Sequence, residues 1–242
     1  FAAVGFETTA PASAAAVLAA EKKKLDNLSV LVSHKRVLPA MTALLDGGEV
    51  NLDGFLCPGH VSIIIGADAY RPLIDRYRMP CVIGGFEEEL MASALAALIE
   101  LVRDGQADLI NQYPEAVKPG GNPVALKMLG EVFEPATVRW RGIGPIPQSG
   151  LTLRRWYSDY DAAIRFDLDQ PVDHEPPGCL CGQVITGTAT PRDCKLFGTA
   201  CTPIHPIGPC MVSSEGTCQA WFKYNRSEQR MAAGKRQRGV PA

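Results

Sequence analysis

The sequence predicts an α/β fold: parallel-sheet α/β domains followed by a region rich in Cys, Pro and Gly. Three observations predict it. From Phe1 to about Gly105, short apolar runs alternate with helix-periodic segments, the pattern of parallel strands joined by crossover helices. Two strand-to-helix junctions repeat Gly-Phe-Glu, in VGFETTA at 4–10 and GGFEEEL at 84–90. From Val172 the composition shifts, and six of the eight cysteines fall between Cys179 and Cys218.

Taken in order, FAAVGF at 1–6 reads as a strand. It opens like the middle of a buried one, so further chain is expected upstream. TTAPASAAAVLAAEKKKL reads as a helix with Thr9 as N-cap and Pro11 in the first turn, where a missing N–H costs nothing. LSVLVS at 28–33 and LDGFLCP at 52–58 are expected strands, and MPCVIGGF is another. The helix EEELMASALAALIELVR follows. Glu87, Glu88 and Glu89 suit its positive dipole end, and Leu90, Met91, Ala94, Leu95, Leu98 and Val102 form a stripe expected to pack on the sheet. Asn122 and Pro123 start a further helix, NPVALKMLGEVF. ATVRW and GLTLRRW read as strands around a turn-rich RGIGPIPQSG. The resulting division is a Rossmann-like α/β region at 1–110, a mixed connecting region at 111–172, a cysteine region of short elements at 173–225, and a basic tail at 226–242 expected to be disordered.

Bulk composition narrows the function classes. With 242 residues, 46% of them apolar, the chain can bury a core without covalent staples. Twenty-four basic against 26 acidic side chains leave a net charge of −2, which argues against nucleic acid or an anionic membrane as partner. No apolar run approaches the roughly 18–20 residues that span a bilayer, so a cytoplasmic location is expected. In that compartment, clustered cysteines more often serve metal or redox chemistry than static cross-links.

In open α/β sheets, ligands bind beyond the carboxyl ends of the strands, which puts Glu7 and Glu87 at a candidate cleft; the alternative is that each only caps a helix. Gaps of one, twelve, six, eight and seven residues separate Cys179, Cys181, Cys194, Cys201, Cys210 and Cys218. No gap has the two-to-four spacing of zinc knuckles, so an iron–sulfur cluster is favoured over zinc, and zinc over disulfides. Were Leu180 extended, Cys179 and Cys181 would project on one face with Cα atoms about 6.5 Å apart. A disulfide between them would be strained, and the arrangement suits one ligand beside one redox thiol.

GFETTAPA at 5–12, CPGHVSIIIG at 57–66, PCVIGGFE at 80–87, IGPIPQSGL at 143–151 and the block ending CTPIHPIGPCMVSSEGTC resemble the HypD family, up to about Tyr224. The resemblance implies a maturation scaffold for [NiFe] hydrogenases, redox-active rather than a conventional turnover enzyme. On it the iron moiety Fe(CN)2CO is assembled, with a HypC-type chaperone and a HypE-type cyanide donor. It further implies two α/β domains plus an iron–sulfur cluster region, whose [4Fe-4S] centre is similar to that of ferredoxin:thioredoxin reductase. The implied ligands are Cys179, Cys194, Cys201 and Cys218, with Cys181 and Cys210 as a redox thiol pair. His60 and Glu7 are implied to bind or protonate intermediates, or to organise the chaperone surface; a His after Pro-Gly also serves simply to start a helix. The family's N-terminal segment, with the main ligands of the nascent iron centre, has no counterpart here. Glu88 and Lys195 stand where the family usually has Pro. Cys57 and Cys81 are expected to be buried apolar residues. Other readings of the same residues are an iron–sulfur oxidoreductase or hydratase acting on a small molecule, and a structural zinc module for partner binding.

Overall fold

The computed structural model describes residues 1–48, 50–168 and 176–225. The expected tail at 226–242 lies outside them, as does the junction near Val172. Of the described residues, 1–48, 52–139 and 145–168 form a larger compact unit, and 50–51, 140–144 and 176–225 a smaller one.

The larger unit is α/β with parallel sheets. β1 (Ala2–Gly5) pairs in parallel with β2 (Leu31–His34), and α1 (Ala10–Lys23) connects them. A three-stranded parallel sheet has the order β3 (Phe55–Pro58), β4 (Cys81–Gly84), β5 (Leu109–Asn111). Every residue of β4 is buried, as expected for a central parallel strand covered on both faces. Cys81 and Ile83 point into a core with Tyr70, Leu73 and Val117, whereas Val82 points the other way, onto Ala94 and Leu101 of α5 (Glu88–Arg103). Around β1 and β2 a separate core gathers Ala3, Ala14, Val17, Val30, Val132, Phe133 and Tyr157. Each large side chain so buried contributes roughly 1.5–3 kcal/mol.

The remaining elements are α2 (Val37–Asp46), α3 (Gly59–Ile65), α4 (Arg71–Tyr77), α6 (Pro123–Val132), β6 (Phe133–Trp140), β7 (Gly144–Leu153) and α7 (Ala162–Arg165), with α8 (Cys181–Ile185), α9 (Pro209–Val212) and α10 (Thr217–Tyr224) in the smaller unit. Asn122 caps α6 as its sequence predicts, accepting hydrogen bonds from the N–H groups of Val124 and Ala125. Among the described residues no helix is long and apolar enough to cross a membrane.

Four local expectations are corrected. Thr9 occupies the cap position of α1, but its hydroxyl donates back to the carbonyls of Val4 and Phe6 instead of accepting from the helix. The stripe of α5 is rotated: Ala94 and Leu101 are buried, while Met91, Leu95 and Val102 are exposed. Small Ala94 lets the helix axis approach β4, and that approach selects the face. GPIPQSG is part of β7 and not a turn, because Pro is tolerated in a two-stranded pair that leaves an edge free. Leu180 has φ −100° and ψ 24°, so Cys179 and Cys181 are not the ends of an extended tripeptide; Cys181 begins α8.

Candidate thiol site and strand-end cleft

The smaller unit is built from pieces too short to hold themselves: α8, α9, α10 and a single 3-10 turn at Pro191–Asp193. Proline in the first turn starts both the 3-10 turn and α9, and Thr190 and Asp193 close a reciprocal capping box on the former. These turns bring all six clustered cysteines to the wall of one cavity, completed by Leu180, Val184, Leu196, Phe197, Gly208 and Met211. Cys181, Cys194, Cys201 and Cys210 are buried, and Cys179 and Cys218 are half-buried; all six are free thiols.

Two glycines make the convergence possible. A Cβ on Gly208 would stand 2.5 Å from the Cys179 sulfur and 3.8 Å from the Cys181 Cβ. One on Gly216 would overlap the Cys210 carbonyl oxygen, and its absence lets α10 lie against α9. From the 140–144 segment, Gly142 closes over Cys181: its φ of +83° is one that L side chains rarely adopt, and a Cβ there would be 3.3 Å from the Cys181 sulfur.

The thiols are not equivalent. Cys210 is in hydrogen-bond contact with both Cys181 and Cys218, and those contacts, followed by burial, drive its thiol pKa far up. The same bond from Cys210 moves Cys218 down, favouring charge on the more exposed sulfur. Burial raises Cys179, against the opposing effect of a hydrogen bond from the Cys181 backbone N–H. The Ile207 N–H donates to the Cys201 sulfur at 3.3 Å, the kind of backbone bond that tunes thiolate ligands.

Donor chemistry fits a thiolate-bound iron–sulfur cluster: an apolar wall, more than four sulfurs and a backbone donor aimed at one of them. Among the described residues, no three His, Cys, Asp or Glu side chains draw together as tightly as a single ion requires.

In the larger unit, the predicted cleft residues have different surroundings. His60 is exposed on the first turn of α3 and stacks on Phe86, with ring centroids 4.1 Å apart and planes at 28°. Gly59 presses on the Gly84 carbonyl so closely that a Cβ would overlap it, and this seats His60 above the GGFE junction. Glu7 is buried, with its carboxylate accepting the Val37 N–H at 2.9 and 3.2 Å; burial raises its pKa against the opposing effect of that bond. It therefore caps no part of α1, the helix that follows it, and serves the start of α2 instead. Glu87 is exposed and its side chain makes no cap on α5.

Two polar residues here, His34 and Tyr70, lie outside the quoted motifs. His34 is 1% exposed, has Nε2 2.9 Å from the Ser13 hydroxyl and an edge-to-face contact with Phe133; burial lowers its pKa. Tyr70 meets the Ser62 hydroxyl at 3.0 Å, and Ser62 donates to the Pro58 carbonyl at 2.8 Å. The signal available for His34 was its place at the carboxyl end of a strand. Cys57 and Cys81 are buried as expected, and they hydrogen-bond to each other, which together with burial pushes the Cys57 thiol well up.

The family model HypD, described as the hydrogenase formation hypA family, matches residues 1–225. The chain is 42% identical over 226 residues to a putative hydrogenase expression/formation protein of Methanocaldococcus jannaschii, covering 93% of this chain and 63% of that protein. It is 42% identical over 239 residues to hydrogenase maturation factor HypD of Azotobacter vinelandii, with 96% and 63% covered. Against HypD of Cupriavidus necator the identity is 42% over 233 residues, with 93% and 62% covered. The chain thus spans a little under two thirds of the length of these relatives.

Proposed function

The chain belongs to the HypD family, and from that premise we propose that it carries the redox thiol site of a hydrogenase maturation scaffold. The observation that carries this reading is the convergence of all six clustered cysteines on one apolar cavity. Cys179, Cys194, Cys201 and Cys218 are the ligands of a [4Fe-4S] cluster, and Cys181 and Cys210 are the adjoining thiol pair. When bound, the cluster supplies electrons one at a time to a two-electron thiol couple.

The chain's own residues define the rest. Buried Val184 and Met211, with half-buried Leu196, keep water from the sulfurs. The Ile207 N–H stabilises negative charge on Cys201, and Gly142 shields Cys181. The cargo is an iron carrying cyanide and carbonyl ligands, Fe(CN)2CO, received with a HypC-type chaperone and a HypE-type cyanide donor in the cytoplasm. The exposed His60–Phe86 pair offers a contact or proton-handling surface for that traffic, and buried Glu7 holds the start of α2 through the Val37 N–H.

The test is an iron and acid-labile sulfide assay on the anaerobically purified chain and two variants. Wild type and Cys181→Ala should carry about four irons and four sulfides, the composition of a [4Fe-4S] centre, and Cys218→Ala should carry none. Zinc without sulfide in the wild type would replace the cluster reading by a structural metal module. A cluster-free Cys181→Ala would overturn the division of ligands from redox pair.

A further inference from the structure

We infer that Cys210 is a switching thiol: in the cluster-free protein it forms a disulfide with Cys218 as well as with Cys181, and the Cys210–Cys218 disulfide withholds a cluster ligand. The inference rests on the ligand reading proposed above for Cys218.

Three geometric observations lead to it. Cys181, Cys210 and Cys218 line the wall of one small cavity, and the Cys210 thiol points at the Cys181 carbonyl, so neither partner has to be brought from a distance. The second contact is built into the backbone, because Gly216 lies on the Cys210 carbonyl and brings the first turn of α10 against α9. Access also differs: Cys218 is half-buried, whereas Cys210 and Cys181 are buried. A dissolved small disulfide therefore meets Cys218 first.

The step balances with a low-molecular-weight disulfide such as oxidised glutathione as oxidant. The Cys218 thiolate attacks it, forming a mixed disulfide and releasing one thiolate. Cys210, after giving its proton to water, attacks the Cys218 sulfur and expels the second thiolate. Two protein thiols have lost two electrons and two protons, and the oxidant has become two thiols. From a Cys181–Cys210 disulfide the same product forms without net oxidation: the Cys218 thiolate attacks the Cys210 sulfur and Cys181 leaves as thiolate. A sulfur committed to a disulfide cannot bind iron, so the partner Cys210 holds decides whether the fourth ligand is available.

Disulfide mapping of the cluster-free chain tests the inference. Wild type and Cys181→Ser are prepared anaerobically, treated with oxidised glutathione, alkylated, and cleaved after Glu215 and after Lys and Arg, which places Cys210 and Cys218 on different peptides. Wild type should give Cys210 linked to both neighbours, and Cys181→Ser should give Cys210–Cys218 alone. Oxidised Cys181→Ser should then take up iron and sulfide at least tenfold less than its reduced form, with recovery after dithiothreitol. Absence of a Cys210–Cys218 link in both proteins overturns the inference, as does unchanged cluster uptake in oxidised Cys181→Ser that carries the link. Failure of the reduced wild type to bind iron and sulfide refutes the cluster reading instead, and the peptide map still decides the thiol contact.

Discussion

Gly216 lies against the carbonyl oxygen of Cys210 with no room for a side chain between them. This contact fixes α10 against α9 and thereby sets the spacing of Cys218 from Cys210. Gly216→Ala should force the two turns apart, at a cost of about 1–3 kcal/mol, the usual range for overpacking a tight contact. Urea unfolding measures the loss. In the same variant the Cys210–Cys218 link should become rarer relative to Cys181–Cys210; an unchanged ratio would show that the contact does not set the thiol spacing.

Cys57 and Cys81 lie on neighbouring strands of the larger unit and share a thiol hydrogen bond in a dry core. Cys57→Ala should cost about 1–3 kcal/mol from lost packing and lost thiol hydrogen bonding, while Cys81 keeps the Met79 carbonyl as acceptor, without altering iron or sulfide content. Equal cluster loading with a lower urea midpoint is the expected pair of results. A variant that folds but loses iron would move Cys57 into the functional site.

Much of this arrangement is visible in the sequence, and the exceptions have physical causes. The strands of 1–110 show because buried parallel strands are short apolar runs punctuated by Gly and Pro. The face of α5 does not show, because apolar residues cover so wide an arc that periodicity cannot choose between Leu95 and Leu101. Clustering of six cysteines in 40 residues, from Cys179 to Cys218, makes a shared site legible. Which sulfurs touch is not legible, since that depends on close backbone approaches at Gly208 and Gly216 between segments with no periodicity. Glu7 illustrates the same limit: its partner, the Val37 N–H, is 30 residues away.

For Glu7 the sign of a pH effect follows from its environment. Burial raises its folded-state pKa, so the protonated form is favoured by folding. Its stabilising contribution is fully present below the ordinary Glu value of about 4.3 and is lost as pH rises through the raised folded value. Glu7→Gln keeps an oxygen acceptor for Val37 and does not titrate. Wild type minus Glu7→Gln stability, read from urea midpoints between pH 4 and 8, should therefore fall with rising pH. A difference that rises with pH would mean that the backbone N–H groups of Glu7 and Val37, together with Arg36, outweigh burial.

Phe86→Ala removes the ring on which His60 rests. Aromatic stacking of this kind is worth about 0.5–1.5 kcal/mol beyond area burial, and both groups are exposed, so the cost should lie at the low end. The sharper reading is local: His60 ring protons should lose the ring-current shift of the stack in NMR spectra, while the buried His34 ring, set against Phe133, keeps its own. Simultaneous movement of both sets of signals would indicate a general rearrangement of the larger unit.

Gly142 tests how Cys181 is shielded. Its φ of +83° costs a side-chain-bearing residue roughly 1–2 kcal/mol, and an added Cβ would come 3.3 Å from the Cys181 sulfur. Gly142→Ala should relieve both by moving the 140–144 segment off the thiol. The loss of stability should be modest, because residues 141–143 form a turn between β6 and β7. The specific effect should be faster alkylation of Cys181 in the reduced, cluster-free chain, with Cys194 and Cys201 unchanged, since Gly142 touches neither. Uniform acceleration at all three cysteines would indicate loosening of the whole unit, and no acceleration at Cys181 would mean that its protection comes from the apolar wall of Val184 and Met211.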